Sequence, residues 1–279
     1  MLRGFESQRL YNEKIAYRNS KLKENNPIKL RLLCISASSL EFRSKIEKKK
    51  WKVFWDIVFV SSSAAISFFL GTLAGNIVLG LPLSPETSLI SSSWLLFFRP
   101  YAVLCGAVVT SAFAFHGACF AVMKSSGELC LRIQNRFSYV LSSFLVCYFL
   151  LIGATLGVIP KRFDAFPAYP LLILLIVFTS CFCFAAKNSV KRERYGLAFC
   201  YSSLNLLVLA LSAVALTFPN ILISTVDPQY SCTIFNAAVT AKTLKSLCTI
   251  VVVGLPLIIA YGIFVYRVFR GKTDFPSIY

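Results

Sequence analysis

Histidine, methionine and acidic residues are scarce in this sequence of 279 residues. There is one histidine, His116, and there are two methionines, Met1 and Met123, so the chain offers few neutral ligands for a haem or metal centre. Asp and Glu together number 12 against 29 Lys and Arg, which leaves a formal net charge of +17. The sequence therefore predicts that this polypeptide alone binds no haem.

The sequence motifs that mark common enzyme classes are also absent. We find no G-x-x-x-x-G-K-[ST], no G-x-G-x-x-G and no H-E-x-x-H. G-x-S-x-G is missing too. There are ten cysteines but no C-x-x-C pair, so neither a zinc site nor a redox motif is indicated. Most of the cysteines lie in apolar stretches, where a free thiol behaves as a small hydrophobe: these are Cys105, Cys119, Cys147, Cys181, Cys183, Cys200 and Cys248.

What the chain does contain is hydrophobic residues, which make up 57% of it. They gather in long uncharged stretches, and about 20 apolar residues are enough to cross a bilayer core of about 30 Å. Before the first stretch come Lys48–Lys52, Trp51 and Trp55, an order typical of the cytoplasmic end of a membrane helix. The sequence therefore predicts an all-α polytopic membrane protein with six transmembrane helices, at 57–81, 100–123, 137–160, 165–186, 195–218 and 246–266.

The excess positive charge lies in the loops between these spans. This placement indicates an anionic membrane surface as the partner and argues against nucleic acid. Six spans put both chain ends on one side, and without residues 1–54 that side carries ten Lys and Arg against five on the other. Because basic loops stay in the cytoplasm, both termini are predicted to be cytoplasmic.

Residues 1–40 differ from the rest of the chain in being polar, basic and weakly patterned. Asn25-Asn26-Pro27 indicates a turn, and the apolar run Leu30–Ser36 is too short for the core of a signal peptide. We expect a cytoplasmic tail without regular structure. The basic run Lys45–Lys52 that follows has two interpretations, a flank that sets the topology or a patch that binds anionic lipid, and the flank is the simpler one.

Several residues inside the spans are candidates for contacts between helices. Gly71 and Gly75 form a G-x-x-x-G that permits close helix approach, and Asn76 beside them is placed to bond a neighbouring helix. Gly254–Pro256 predicts a kink in the last span. No charged residue lies in the middle of any span, which argues against a self-contained proton pump or ion-coupled transporter.

The lone histidine is open to three interpretations. His116 lies in the second span, where an imidazole can ligate haem or relay protons. Haem usually requires a second axial ligand and a pocket, and the sequence shows neither. A hydrogen bond between helices is therefore the simplest prediction for His116.

A set of short motifs runs in order from Glu41 to Lys272. They are Phe42-Arg43-Ser44-Lys45-Ile46-Glu47, Trp55-Asp56, Gly75-Asn76, Gly80-Leu81-Pro82, His116-Gly117-Ala118, Gly127-Glu128-Leu129 with Arg132, Phe218-Pro219-Asn220, Thr233-Ile234-Phe235-Asn236-Ala237-Ala238 and Gly254-Leu255-Pro256. Each motif alone is weak, but the ordered set resembles subunit II of cytochrome bd-type quinol oxidases. The candidates for family motifs or assembly are Arg43, Trp55, Asp56, Gly75, Asn76, His116, Gly117, Glu128, Arg132, Pro219, Asn236 and Pro256.

The resemblance implies a non-catalytic membrane subunit of the aerobic respiratory chain. In that family a larger subunit I carries haems b and d and the loop that oxidises quinol, and subunit II packs against it. The complex transfers electrons from quinol to dioxygen in the bacterial cytoplasmic membrane. For this chain the resemblance implies a haem-bearing partner, contact with membrane lipids, quinol as substrate of the complex, a possible bound quinone, and no haem ligand of its own.

Two features depart from the family pattern. Val239-Thr240 stands where family members usually have a Ser-Ser pair. The family also begins with two further membrane helices, and residues 1–40 resemble neither. We therefore expect a tail at 1–40, a six-helix membrane domain at 41–272 and a short tail at 273–279. We also expect an N-terminally truncated member that assembles poorly or turns over little.

Other functions fit six spans as well. A small-molecule transporter is the main alternative, motivated by the Gly254–Pro256 break, although paired broken helices would be needed and only one break is visible. A non-functional remnant of the oxidase subunit is a further possibility.

Overall fold

The computed structural model describes residues 27–44, 48–83, 97–158, 168–269 and 271. Seven α-helices, a 3₁₀ turn and two short strands fall within these ranges. The helices are α1 Pro27–Ser44, α2 Lys49–Leu79, α3 Pro100–Lys124, α4 Gly127–Val158, α5 Ala168–Lys191, α6 Tyr195–Thr217 and α7 Ala241–Val268. The strands are β1 Asn220–Leu222 and β2 Cys232–Thr233, and the 3₁₀ turn between them is Pro228–Tyr230. Most of the N-terminal tail, the tail at 273–279 and the segments 84–96 and 159–167 lie outside the described residues.

Six of these helices are long and apolar enough to cross a membrane. They are α2 to α7, which confirms the prediction of an all-α polytopic membrane protein with six spans. Each predicted stretch falls on one helix in the same order. The two strands form a small antiparallel pair that the sequence patterns did not predict.

Three of the spans begin earlier than their apolar stretches, and one of these is α7, which starts at Ala241 before the stretch at 246–266. Helix α2 starts at Lys49, before the uncharged stretch at 57–81, and α4 starts at Gly127 within a segment expected to be a charged loop. Lys, Arg and Glu are good helix formers, so a helix extends beyond the bilayer core into charged sequence. Glu128 and Arg132 form an i,i+4 ion pair with 2.6 Å between Oε1 and Nη2, which supports this first turn of α4.

The expectation of an irregular tail through Ser39 is wrong for residues 27–39. They lie in α1, which starts at Pro27. Proline is favoured in the first turn of a helix as well as in turns, because its missing N–H has no intrahelical partner there. The Asn25-Asn26-Pro27 pattern was thus compatible with a helix start.

The chain divides into two compact units between Phe69 and Leu70. The described part of the first unit contains α1 and most of α2. The second unit holds the end of α2 and everything that follows. Within the first unit the Ser36 and Ser63 hydroxyls lie 3.3 Å apart, and the indole Nε1 of Trp51 donates to the carbonyl of Phe42 at 3.0 Å.

Helices α3 to α6 form the core of the second unit. Helix α3 packs on α4 and α6, and α5 packs on α6. At the centre the rings of Phe115 and Phe144 are nearly fully buried and stack with 6.0 Å between centroids. Small residues close the remaining gaps in this core, namely Ala112, Cys119, Cys183, Ala186 and Ala198.

The segment between α6 and α7 folds back onto the end of α2. Leu81 forms a parallel β-bridge with Ser224. The Leu81 N–H donates to the Ile223 carbonyl at 2.8 Å, and the Leu81 carbonyl accepts from the Thr225 N–H at 3.0 Å. Gly80 precedes this bridge with φ +95, and a Cβ there would lie 3.1 Å from the Ile223 carbonyl oxygen. Glycine is therefore required at this turn.

Helix α7 differs from every other described span. No residue of α7 is buried, although the helix is strongly apolar along its length. Its end is held by Lys124 at the end of α3, whose Nζ donates to the Phe269 carbonyl at 2.7 Å. The described part of the chain therefore leaves the faces of α7 open.

Candidate assembly site

The candidate residues do not gather in one pocket. Arg43, Trp55 and Asp56 lie in the first unit, and the remaining candidates are distributed over the second. Arg43 with Asp56, Gly75, and His116 each join two elements of the fold. Glu128 and Arg132, in contrast, pair on a single helix.

Arg43 and Asp56 connect α1 to α2 through an ion pair. Arg43 Nε donates to Asp56 Oδ1 at 2.5 Å, and Nη2 lies 3.4 Å from Oδ2. Both side chains are about half exposed, at 49% and 51%. A solvent-exposed pair of this kind contributes only about 0–1 kcal/mol, so its main effect is to fix how the two helices meet.

Four aromatic rings beside this ion pair form what we term the ring cluster: Phe42, Trp51, Phe54 and Trp55. Trp55 is at its centre, stacked on Phe42 at 5.2 Å and edge-on to Trp51 and Phe54 at 5.6 and 5.4 Å. Its indole Nε1 is enclosed and has no hydrogen-bond partner among the described residues. The contribution of Trp55 thus comes from ring packing and not from its polar atom.

Gly75 lies at a close contact between α2 and α3. A Cβ at Gly75 would lie 2.8 Å from the Ala102 Cα and 2.9 Å from the Cys105 Cβ. One turn earlier, a Cβ at Gly71 would lie 2.6 Å from the Cys105 carbonyl oxygen. The structure thus confirms that the G-x-x-x-G motif permits close helix approach.

Asn76 extends this contact to Phe97, which precedes α3. Its Nδ2 donates to the Thr72 carbonyl at 2.9 Å and to the Phe97 carbonyl at 2.8 Å. The partner outside α2 is the carbonyl of Phe97, a residue in helical conformation, so Asn76 bonds a helical turn other than its own helix, in agreement with the prediction. The Oδ1 atom is buried without a partner in the part of the chain that the structure describes.

His116 forms the hydrogen bond between helices that the sequence predicted. Its Nδ1 lies 2.8 Å from the Ser202 hydroxyl on α6, and its ring stacks on Phe199 at 4.8 Å. Ser202 Oγ also donates to the Phe199 carbonyl of its own helix at 2.8 Å.

Gly117, Glu128 and Arg132 follow His116 in the motif set. A Cβ at Gly117 would meet no described atom within 4 Å, so close packing within this chain does not require glycine there. Glu128 and Arg132 are 77% and 64% exposed and pair with each other on the surface of α4.

The later motifs shape the segment between α6 and α7. The Pro219 carbonyl accepts from the Ile234 N–H at 3.1 Å, which closes the segment onto itself. The Asn236 side chain makes two hydrogen bonds within this segment. Its Oδ1 accepts from the Thr233 N–H at 2.7 Å, and its Nδ2 donates to the Ser231 carbonyl at 2.8 Å. In α7, Pro256 lies inside a helix that is continuous from Ala241 to Val268, so no broken helix of the transporter type is present there.

Sequence reasoning missed a set of polar contacts inside the bundle. The Tyr101 and Thr155 hydroxyls lie 3.1 Å apart between α3 and α4, and Asn205 Nδ2 donates to Cys183 Sγ at 3.2 Å between α6 and α5. Near the first pair is an apolar cavity of about 400 Å³ bounded by α2 to α6. The only signal in the sequence was the occurrence of Ser, Thr, Asn and Tyr within apolar spans.

Potential metal ligands do not cluster among the described residues, which contain no group of three or more His, Cys, Asp or Glu side chains.

Comparison with known proteins gives a consistent result. A family model described as cytochrome bd terminal oxidase subunit II matches residues 28–269. The match begins upstream of Glu41, so residues 28–40 also fall within it. The cytochrome bd ubiquinol oxidase subunit 2 of Bacillus subtilis is 26% identical over 241 residues, covering 85% of this chain and 69% of that protein. The cytochrome bd-I ubiquinol oxidase subunit 2 of Escherichia coli K12 is 23% identical over 261 residues, covering 83% and 69%.

Proposed function

This chain belongs to the cytochrome bd terminal oxidase subunit II family, and from that premise we propose that it packs in the membrane against a haem-bearing subunit I. The complex would oxidise quinol and reduce dioxygen, with this chain as its non-catalytic subunit. The observation that carries the proposal is the family match over residues 28–269. The curated relatives are named as subunit 2 of ubiquinol oxidases, which supports a partner subunit.

Helix α7 is the surface that we assign to this partner. It exposes large apolar side chains along its whole length, such as Val252 at 71%, Ile258 at 69% and Tyr261 at 68%. The other spans of the second unit each bury part of their surface within the chain. Membrane helices associate through van der Waals packing and small residues, and Gly254 and Gly262 provide such positions on α7.

The assignment of haem to the partner rests on the ligands available here. The sequence has one histidine, and its Nδ1 is bonded to Ser202. A subunit that supplies no axial ligand contributes by holding the partner in position and by covering its apolar surface.

Copurification tests the proposal. The tagged chain is purified in mild detergent from membranes of the organism that encodes it, and absorption spectra are recorded. We expect a haem-bearing polypeptide to elute with it, with bands of haems b and d. Elution of the tagged chain as a haem-free protein without such a partner would refute the proposed function.

A matched pair of glycine variants tests the assignment of α7. At Gly254 on α7 and at Gly153 on α4, an added Cβ would have no described atom within 4 Å. Gly254→Leu should therefore leave the fold of this chain intact but reduce the yield of copurified partner about tenfold or more, as expected for overpacking of a close contact. Gly153→Leu should leave that yield unchanged. Equal yields for the two variants would exclude close packing of the partner at this position of α7.

A further inference from the structure

Lys48, Lys49, Lys50 and Lys52 form a dense group of positive charge at the start of α2. The first three are exposed and Lys52 is half-buried. Among the described residues none of the four has an acidic partner, whereas Arg43 beside them is paired with Asp56. No described acidic side chain neutralises these four lysines, which leaves them available to bind an external anion.

Helix stability does not account for the lysines. The N-terminal end of a helix carries a partial positive charge, so cations are unfavourable there and acids are preferred. The first turn of α2 contains no acidic residue. Four cations at this end therefore require a different explanation.

The ring cluster supplies the second half of a recognition surface. Trp51 and Trp55 are half-buried within the cluster, and Trp and Tyr rings concentrate at the headgroup level of a bilayer. Trp51 is fixed by its hydrogen bond to the Phe42 carbonyl at 3.0 Å. Phe42 and Phe54 expose 48% and 54% of their surface, and Ile57 in the next turn exposes 62%.

Charge, rings and exposed apolar side chains thus follow one another along the start of α2, in the order of a lipid from headgroup to acyl chain. We propose that the four lysines and the ring cluster form a binding site for an anionic phospholipid, with the ammonium groups on its phosphate and the exposed rings against its chains. A basic flank that only sets topology needs neither a fixed ring cluster nor a particular lipid. The proposal does not depend on the partner subunit.

Brominated lipids test this site in the full chain. The sequence has three tryptophans, so Trp94→Phe leaves Trp51 and Trp55, both in the ring cluster, as the only residues that fluoresce on selective tryptophan excitation. The purified chain is placed in phosphatidylcholine nanodiscs that contain a minority of either brominated phosphatidylglycerol or brominated phosphatidylcholine. The quenching should show at least a roughly fivefold enrichment of the anionic lipid, the effect of a single lysine near a charged surface.

Three variants make the result specific. Changing Lys48, Lys49, Lys50 and Lys52 together to Gln should abolish the enrichment, and changing them to Arg should preserve it. The matched control changes Lys187, Lys191, Arg192 and Arg194 to Gln, because this turn carries four cations without a ring cluster among the described residues. The control should retain the enrichment.

Far-UV circular dichroism verifies that each variant keeps its helix content. Equal quenching by the two brominated lipids in the parent would overturn the proposal. So would an enrichment that survives the Gln variant, or one that falls equally in the control, since the lipid would then follow total charge.

Discussion

Single side chains in this subunit act mainly through packing, and Trp55 illustrates this. Its ring makes contacts to three neighbours, while its enclosed Nε1 has no partner in the described part of the chain. A buried donor without a partner costs stability, whereas each aromatic pair contributes it. The sequence indicated the position of Trp55 at the membrane interface but not that its polar atom is unused.

Substitutions at Trp55 should therefore separate the contribution of the aromatic ring to stability from that of the indole nitrogen. Trp55→Phe keeps a ring and removes the unpaired N–H, so its free energy of unfolding should change by less than about 1 kcal/mol. Trp55→Ala loses three ring pairs and should cost about 2–4 kcal/mol. Thermal unfolding of the purified chain in detergent measures both. A large loss of stability in Trp55→Phe would show that the indole nitrogen has a hydrogen-bond partner.

His116 should contribute to the packing of α3 on α6 and not to the haem content of the complex. Ser202→Ala and His116→Ala each remove one hydrogen bond between α3 and α6, at a cost of about 0.6–2 kcal/mol. The double variant should cost little more than either single one, because both remove the same contact. Haem content of the copurified complex should stay near that of the parent in all three. Complete loss of a haem absorption band in His116→Ala would contradict this prediction.

Helices in this chain meet through small residues at some interfaces and remain open at others. The spans and their order could be predicted because an apolar stretch of about 20 residues is a strong signal. Helix α1 could not, because its apolar run is short and Arg31 interrupts it. The partners of His116 and Asn76 could not be predicted either, since sequence does not reveal which helices are adjacent.

Replacing either of two glycines by alanine should change the stability of the chain, but in opposite directions. Gly75 lies at the contact between α2 and α3, and Gly153 lies on α4. Gly75→Ala places a Cβ 2.8 Å from the Ala102 Cα and should destabilise the chain by about 1–3 kcal/mol through overpacking. Gly153→Ala meets no described atom within 4 Å and should stabilise it by up to about 1 kcal/mol through helix propensity. The melting temperatures of the two variants should therefore lie on opposite sides of the parent. A shift in the same direction would show that the close approach at Gly75 is not maintained in the membrane.

The whole molecule has an orientation that the fold alone does not determine. Charge in the loops predicts both termini in the cytoplasm, and six spans are consistent with both ends on one side. Cysteines provide the reporters. Cys34 on α1 is exposed and Cys232 in the segment between α6 and α7 is partly exposed, whereas Cys130 is buried and would resist labelling from either side.

Labelling with a membrane-impermeant maleimide tests the orientation. In a variant that retains only Cys232, intact cells should be labelled. In a variant that retains only Cys34, labelling should appear only after the membrane is permeabilised. The reverse pattern would place the termini outside and would require a different account of the loop charges.

The exposed state of α7 also has a consequence for the order of events during synthesis. Helices α3 to α6 emerge before α7 and find their partners within the same chain, so their packing is unimolecular. Helix α7 emerges after them and has no packing partner among the described helices, so on the proposed assembly its burial is a bimolecular step whose rate depends on the concentration of the other subunit. Copies made in excess of that subunit would wait with α7 uncovered, and the cell would have to balance the production of the two chains.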